Sequence, residues 1–131
     1  MPDLCMSEAD FRAYLDAFNR DDYAGFSKYY AEDVTLVLGG RREIRGRQAI
    51  IDFYKPVKAK TRREIVANRV VIGVDAIAAE LESTFLALED IPDLLARPLK
   101  QGETLHQITF ALYEVKDGQF TRIRSARYQG D

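Results

Sequence analysis

Apolar positions in the first third of the chain recur at helical spacing. Phe11, Tyr14, Leu15 and Phe18 share one face of a helix that opens at Ser7, whose hydroxyl caps the first turn with Asp10 as its partner three residues on. Asn19-Arg20-Asp21-Asp22 interrupts the period, and an aspartate there caps a second helix carrying Tyr23, Phe26, Tyr29 and Tyr30. Gly25 weakens that helix by about 1 kcal/mol relative to Ala, so packing has to hold it. The period then switches to two. Val34 to Leu38 reads as a strand, Gly39-Gly40 as a tight turn, and Arg41 to Arg45 as a short charged edge strand. Gln48 to Tyr54 reads as a third helix with Ile50, Ile51, Phe53 and Tyr54 as its apolar residues, ending before Pro56.

From Glu64 onward the pattern is a meander of long strands, at 64–73, 76–88, 104–116 and 119–128. Val74-Asp75-Ala76 and Lys116-Asp117-Gly118 serve as hairpin turns. The connection from Glu89 to Glu103 is longer and holds Pro92, Leu94, Leu95, Pro98 and Gly102. A loop of that length points to a lid or an interface element. Helices first and long antiparallel strands afterwards make an α+β pattern, in one domain over 7–131 behind a tail of residues 1–6. The basic run KPVKAKTRR (55–63) has no interleaved aromatic and reads as a solvated loop.

Composition narrows the classes. With 131 residues, 47% hydrophobic and 31% charged, the chain has enough apolar material for one core. A formal charge of −2, from 19 Lys+Arg and 21 Asp+Glu, gives no reason to expect nucleic acid or an anionic membrane as partner. No apolar run approaches the roughly 18–20 residues that span a bilayer. The single cysteine, Cys5, has no internal disulfide partner, and the start has no secretory pattern. The expected setting is a reducing cytoplasm.

Candidate chemistry then rests on polar residues placed on apolar faces. No Gly-rich loop follows a strand to cradle phosphate, and no His/Cys cluster has metal-ligand spacing, so neither metal nor organic cofactor is expected. His106 alternates with Ile108, Phe110 and Leu112 and is expected to point with them toward the interior. There it is either a hydrogen-bonded core residue or a pocket donor or base, since an imidazole titrates near neutral pH. Tyr14, Tyr30 and Tyr54 are expected on the apolar sides of three helices, either converging on one another or packing separately with wet tips. In the strand at 76–88, Ile77, Ala79, Leu81, Ser83 and Phe85 should face the core, with Glu80 and Glu82 on the other side toward solvent or a partner subunit, or in the pocket if a one-residue bulge reverses the strand. Arg127 shares the parity of Ile123 and Ser125 and is placed at a pocket mouth, whereas Arg122 and Arg124 are not.

Four stretches taken together, AFNRDDYAGFSKYYAEDV (17–34), GRQAIIDFY (46–54), VDAIAAELEST (74–84) and DGQFTRIRSARY (117–128), resemble the nuclear-transport-factor-2-like superfamily in its SnoaL-like and ketosteroid-isomerase-like branch. The resemblance implies a cone: a strongly curved antiparallel sheet wrapped by three helices, with a pocket at the open end and pairing through the sheet as a homodimer. It implies a small apolar or cyclic organic ligand. Aligned through FNRDD and GRQAIIDFY, Tyr14 falls at the isomerase's oxyanion-hole donor, with Tyr30 and Tyr54 at its linked tyrosines. Phe18 and Ile123 join the expected pocket wall. The general-base aspartate falls on Leu38 and the protonated acid on or next to Phe110. Leucine moves no proton, so steroid isomerisation by that mechanism is rejected. SnoaL-type cyclases complete an intramolecular aldol with an acid/base residue, a part open to His106. The Asp-Arg-Asp relay of limonene-epoxide-hydrolase-like relatives has no counterpart. Two readings remain: a cofactor-independent isomerase, cyclase or dehydratase acting by proton transfer, and a non-catalytic ligand-binding or dimerisation module. A transport adaptor like the superfamily's namesake has no feature in its favour.

Overall fold

The structure, a computed structural model, describes residues 6–38, 42–94 and 97–130. Helix α1 (Glu8–Asn19) starts where Ser7 Oγ accepts from the Asp10 amide and the Asp10 carboxylate accepts from the Ser7 amide. Asp22 caps α2 (Tyr23–Ser27) by accepting from the Gly25 amide at 3.0 Å. Strand β1 (Tyr30–Leu38) follows at once, pairing antiparallel with the four-residue edge strand β2 (Arg42–Arg45). The expected glycine turn between them lies outside the described residues. Gly46, at φ 96°, turns the chain into α3 (Arg47–Lys60). Strands β3 (Thr61–Ile72), β4 (Ala76–Ala87), β5 (Thr104–Lys116) and β6 (Gln119–Gly130) complete a six-stranded, curved and unclosed sheet in the order β2-β1-β6-β5-β4-β3. Asp117 and Gly118, both at positive φ, make the two-residue turn between β5 and β6. The sheet is mixed, because β1 joins β6 in parallel while every other pairing is antiparallel.

Three expectations are corrected. Tyr30 opens β1 instead of continuing the second helix, which stops at Ser27. The third helix does not end before Pro56 but runs through it to Lys60. A proline leaves the carbonyl four residues back without an amide partner, and both Asp52 and Pro56 are exposed, so water can serve that carbonyl. The basic run is therefore no loop. It is the end of α3 and the start of β3, and it carries two inward cations. Lys58 is buried and donates to the Phe18 carbonyl at 2.6 Å and to Asp21 Oδ1 at 2.8 Å, tying the end of α1 to α3. Burial lowers its pKa, and the Asp21 carboxylate opposes that.

The three helices cover the concave face of the sheet. Phe11, Phe26 and Phe120 are fully buried between them, each contributing about 1.5–3 kcal/mol by leaving water. Met6, placed in the tail by sequence, is buried against this core. Asn19 clamps the edge strand β3, donating to the Ile65 carbonyl and accepting from its amide, both at 2.9 Å. The 89–103 connection folds on itself through paired backbone bonds between Ile91 and Leu99. Both residues are buried in a second cluster with Phe85, Ala87 and Leu105. No helix is long and apolar enough to cross a membrane among the described residues.

Candidate active site

Tyr14 and Tyr30 come from different elements and meet at their hydroxyls, 2.9 Å apart. Helical spacing turns Tyr14 inward beside Phe11 and Phe18. Tyr30 is fixed by its own backbone: its carbonyl accepts from Arg47 Nε and Nη2 at 3.0 and 2.8 Å and from Gln119 Nε2 at 3.3 Å. Phe120 stands edge-on to the Tyr14 ring at 4.9 Å. Tyr54, from α3, stands edge-on to Phe18 at 5.0 Å, and Tyr113 of β5 packs against Phe11 at 4.9 Å. Burial pushes the pKa values of Tyr14, Tyr30 and Tyr113 well above the usual phenol value; the charge of neighbouring phenols adds to this, while the Arg63 guanidinium, and for Tyr30 the bond to Tyr14, oppose it. Burial also raises Tyr54, but the Arg63 guanidinium beside it counters part of that. All four are therefore neutral donors near pH 7. In the Tyr14–Tyr30 pair one O–H is used on the other oxygen, which leaves one O–H to offer a ligand.

These side chains line a partly open cavity of about 850 Å³. Of the nine residues expected at the site, seven are in its wall: Tyr14, Phe18, Tyr30, Leu38, Tyr54, Ile123 and Arg127. Tyr54 and Phe53 enter from α3, Leu36 and Leu38 from β1, and Thr109 and Ala111 from β5. Ile91 and Leu94 of the 89–103 connection close one side, so that connection does build the cavity. Leu95 lies outside the described residues.

His106 and Phe110 are not in the wall. In β5 the buried positions are Leu105, Ala111, Tyr113 and Val115, so the odd residues face inward and the even ones outward. Phe110 is 54% exposed and stacks on Tyr128 at 4.4 Å. His106 Nε2 lies 2.6 Å from Glu82 Oε2 on the outer face. The parity expected for β4 does hold: Ile77, Ala79, Leu81, Ser83 and Phe85 are buried, and Glu80 and Glu82 face out. The two strands pair odd with odd, as in Ser83 with Gln107 and Leu81 with Thr109, so β5 must share the parity of β4. An apolar outer row of Ile108, Phe110 and Leu112 gives the misleading signal.

Sequence reading missed Tyr113 for the same reason, and it missed Arg63. Arg63 follows the inward parity of Thr61, Ile65 and Ala67, a signal that becomes visible once β3 starts at Thr61 instead of Glu64. Its guanidinium lies 4.4 Å over the Phe85 ring and 5.5 Å from that of Phe18. Nη2 donates to Ser83 Oγ at 3.5 Å, and the buried Nε has no partner. Among the described residues no group of three His, Cys, Asp or Glu side chains is arranged to hold a metal ion.

Residues 11–123 match the SnoaL-like domain family. Among solved structures, a candidate polyketide cyclase from Xanthomonas campestris pv. campestris is 25% identical, with 91% of this chain and 87% of that chain covered and a TM-score of 0.73. Another from Silicibacter sp. TM1040 superposes with a TM-score of 0.78 at 19% identity, over 90% and 85% of the two chains. A computationally designed 17-OHP binder is 20% identical, with coverage of 91% and 88% and a TM-score of 0.71. No curated protein matches significantly.

Proposed function

The chain belongs to the SnoaL-like domain family, and from that premise we propose that its cavity binds a small cyclic or flat organic molecule and polarises one of its oxygens. The observation that carries this reading is the Tyr14–Tyr30 hydroxyl pair, 2.9 Å apart in a cavity wall otherwise rich in apolar side chains. A neutral phenol in such surroundings donates to a ketone, enolate or phenolate oxygen, and low dielectric strengthens that bond. The candidate cyclases and the 17-OHP binder among the structural neighbours support a small-molecule role. Any reaction is of the isomerase or cyclase type, in which a proton leaves a carbon beside a carbonyl and the tyrosines stabilise the oxyanion. His106 faces outward, so it is withdrawn as the base, and the carboxylates in the wall are the exposed Asp52 and Asp93.

Titration with 2-naphthol and cyclic enones tests the binding. Tyrosine fluorescence reports it, since the chain has seven Tyr and no Trp. Saturable binding is expected, weakened about tenfold in Tyr14→Phe, the equivalent of one lost hydrogen bond of ~1.4 kcal/mol. Affinities unchanged in both Tyr14→Phe and Tyr30→Phe reject this role. Leu38 at the isomerase's base position and the outward His106 favour a second reading, a carrier without catalysis. Deuterium exchange at the α-carbon of a bound ketone separates the two: exchange above the buffer rate marks an enzyme.

We further propose that a second copy covers the outer face of the sheet in the cytoplasm. Val66, Phe110, Leu112 and Tyr128 are all exposed there. Sedimentation should show a dimer that Phe110→Glu dissociates, and a monomer at all concentrations removes the proposal.

A further inference from the structure

The proposed ligand-binding role leaves Arg63 unexplained. A guanidinium has five N–H donors and carries its charge at any physiological pH. Here it has a long bond to Ser83 Oγ and a hydrogen bond shared with the Tyr54 phenol, and its buried Nε has no partner. Among the described residues no carboxylate lies within ion-pair distance of it. Its electrostatic partners are the phenols of Tyr54, Tyr113 and Tyr14, and burial pulls its pKa below the ordinary value. A desolvated cation left this way is costly, and a fold does not gain stability from it. The guanidinium carbon lies 4.4 Å over the Phe85 ring and 5.5 Å from that of Phe18, contacts that use none of its N–H donors on an acceptor atom.

The charges around the cavity agree. Arg42, Lys60, Arg63 and Arg127 are in the wall, against Asp52 and Asp93; of these, Lys60 and Arg63 are the half-buried ones and the rest are exposed. A chain of net charge −2 thus presents a net positive cavity.

We propose that the ligand is a ring-bearing carboxylate whose anionic group pairs with the edge of Arg63 while its ring packs among the cavity's aromatic side chains. The fork of the guanidinium matches the two oxygens of a carboxylate, which a lysine at this place would not do. The Tyr14–Tyr30 pair then serves a second oxygen on the ring, so this inference deepens the ligand-binding reading and rests on it.

The test compares 2-naphthoate with the nearly isosteric neutral 2-naphthamide, with 2-naphthol as a pocket control, by calorimetry on the full chain. Wild type should bind the naphthoate at least about tenfold tighter than the amide, the scale of one charge-assisted bond. Arg63→Met should erase that preference while the Tm of the free protein stays unchanged or rises, because an unpaired cation has been removed. Arg63→Lys should fold and keep only part of the preference, which decides the matter even where the methionine variant does not fold. Equal binding of both ligands by wild type overturns the inference and leaves the pocket reading standing. So does a preference that survives in Arg63→Met, or a Tm lowered by several degrees with both ligands weakened alike. Failure of all three ligands to bind overturns the pocket reading, and this inference with it.

Discussion

The two faces of the same sheet treat their polar groups in opposite ways. On the outer face Glu82 bonds to His106 at 2.6 Å and to Asn68 at 3.1 Å, and Glu80 accepts from Tyr128 at 2.8 Å. Each of these groups also reaches water. On the inner face Tyr14 and Tyr30 are buried, Tyr54 and Arg63 are half-buried with the Arg63 Nε fully enclosed, and the four share fewer partners than they have donors. A satisfied, wet network has little left to give a ligand, whereas an under-satisfied, dry one gains most when a ligand supplies the missing acceptor. Glu80, Glu82 and His106 therefore mark the outer face in the sequence, while the unsatisfied donors sit on the inner one.

Phenylalanine provides the widest separation between the faces. Phe120→Ala should cost about 3–5 kcal/mol in urea denaturation, because its ring is fully buried against Tyr14, Tyr113 and Phe11. Phe110→Ala, on the outer face, should change monomer stability by only about 0.5 kcal/mol. Equal losses would mean that the outer face is as tightly packed as the core. Next in size is Lys58→Met, which removes a charged donor from both the Phe18 carbonyl and the Asp21 carboxylate and should cost about 1.5–3 kcal/mol in the same measurement.

Smaller effects come from pH. The raised pKa values of Tyr14, Tyr30 and Tyr113 contribute stability that is complete below the unfolded phenol value near 10 and is lost as pH rises through the folded values. Tyrosinate absorbance should therefore show a late group of phenols that ionise only as the chain unfolds. A single titration of all seven at the ordinary value would contradict the buried pair. On the outer face the sign reverses. Bonds from His106 and then Asn68 hold Glu82 below the usual carboxylate range, so its contribution is present above that range and disappears as pH falls through it. His106→Gln should flatten only that acid limb and leave ligand affinity unchanged. A loss of affinity would return the histidine to the site.

Local rules were enough for much of this. Ser7 with Asp10, Asp22 as a cap, Asp117-Gly118 as a turn and the inward face of α1 all follow from short-range chemistry. They lead to the SnoaL-like family and to seven wall residues. The failures arose where structure depends on distance. The parity of β5 relative to β4 is set across a sixteen-residue connection, 88–103, so nothing adjacent to His106 records which way it points. A cavity also inverts the usual pattern, since Gln107 and Thr109 line it while Ile108 and Phe110 lie behind. Arg63 was hidden in a run of charges that reads as surface, although Thr61, Ile65 and Ala67 share its phase.

The Ile91–Leu99 bridge has a consequence for how the chain reaches this state. The β3–β4 and β5–β6 hairpins close over short turns and can zip early on their own. Neither hairpin carries information about its alignment with the other. The bridge shortens the link between them and docks it on Phe85 and Leu105, so it acts as a pawl that admits one alignment. A slip by one residue would turn Tyr113 and Thr109 outward and carry His106 into the cavity. The seating of this connection thus goes with the choice of which face of β5 lines the cavity.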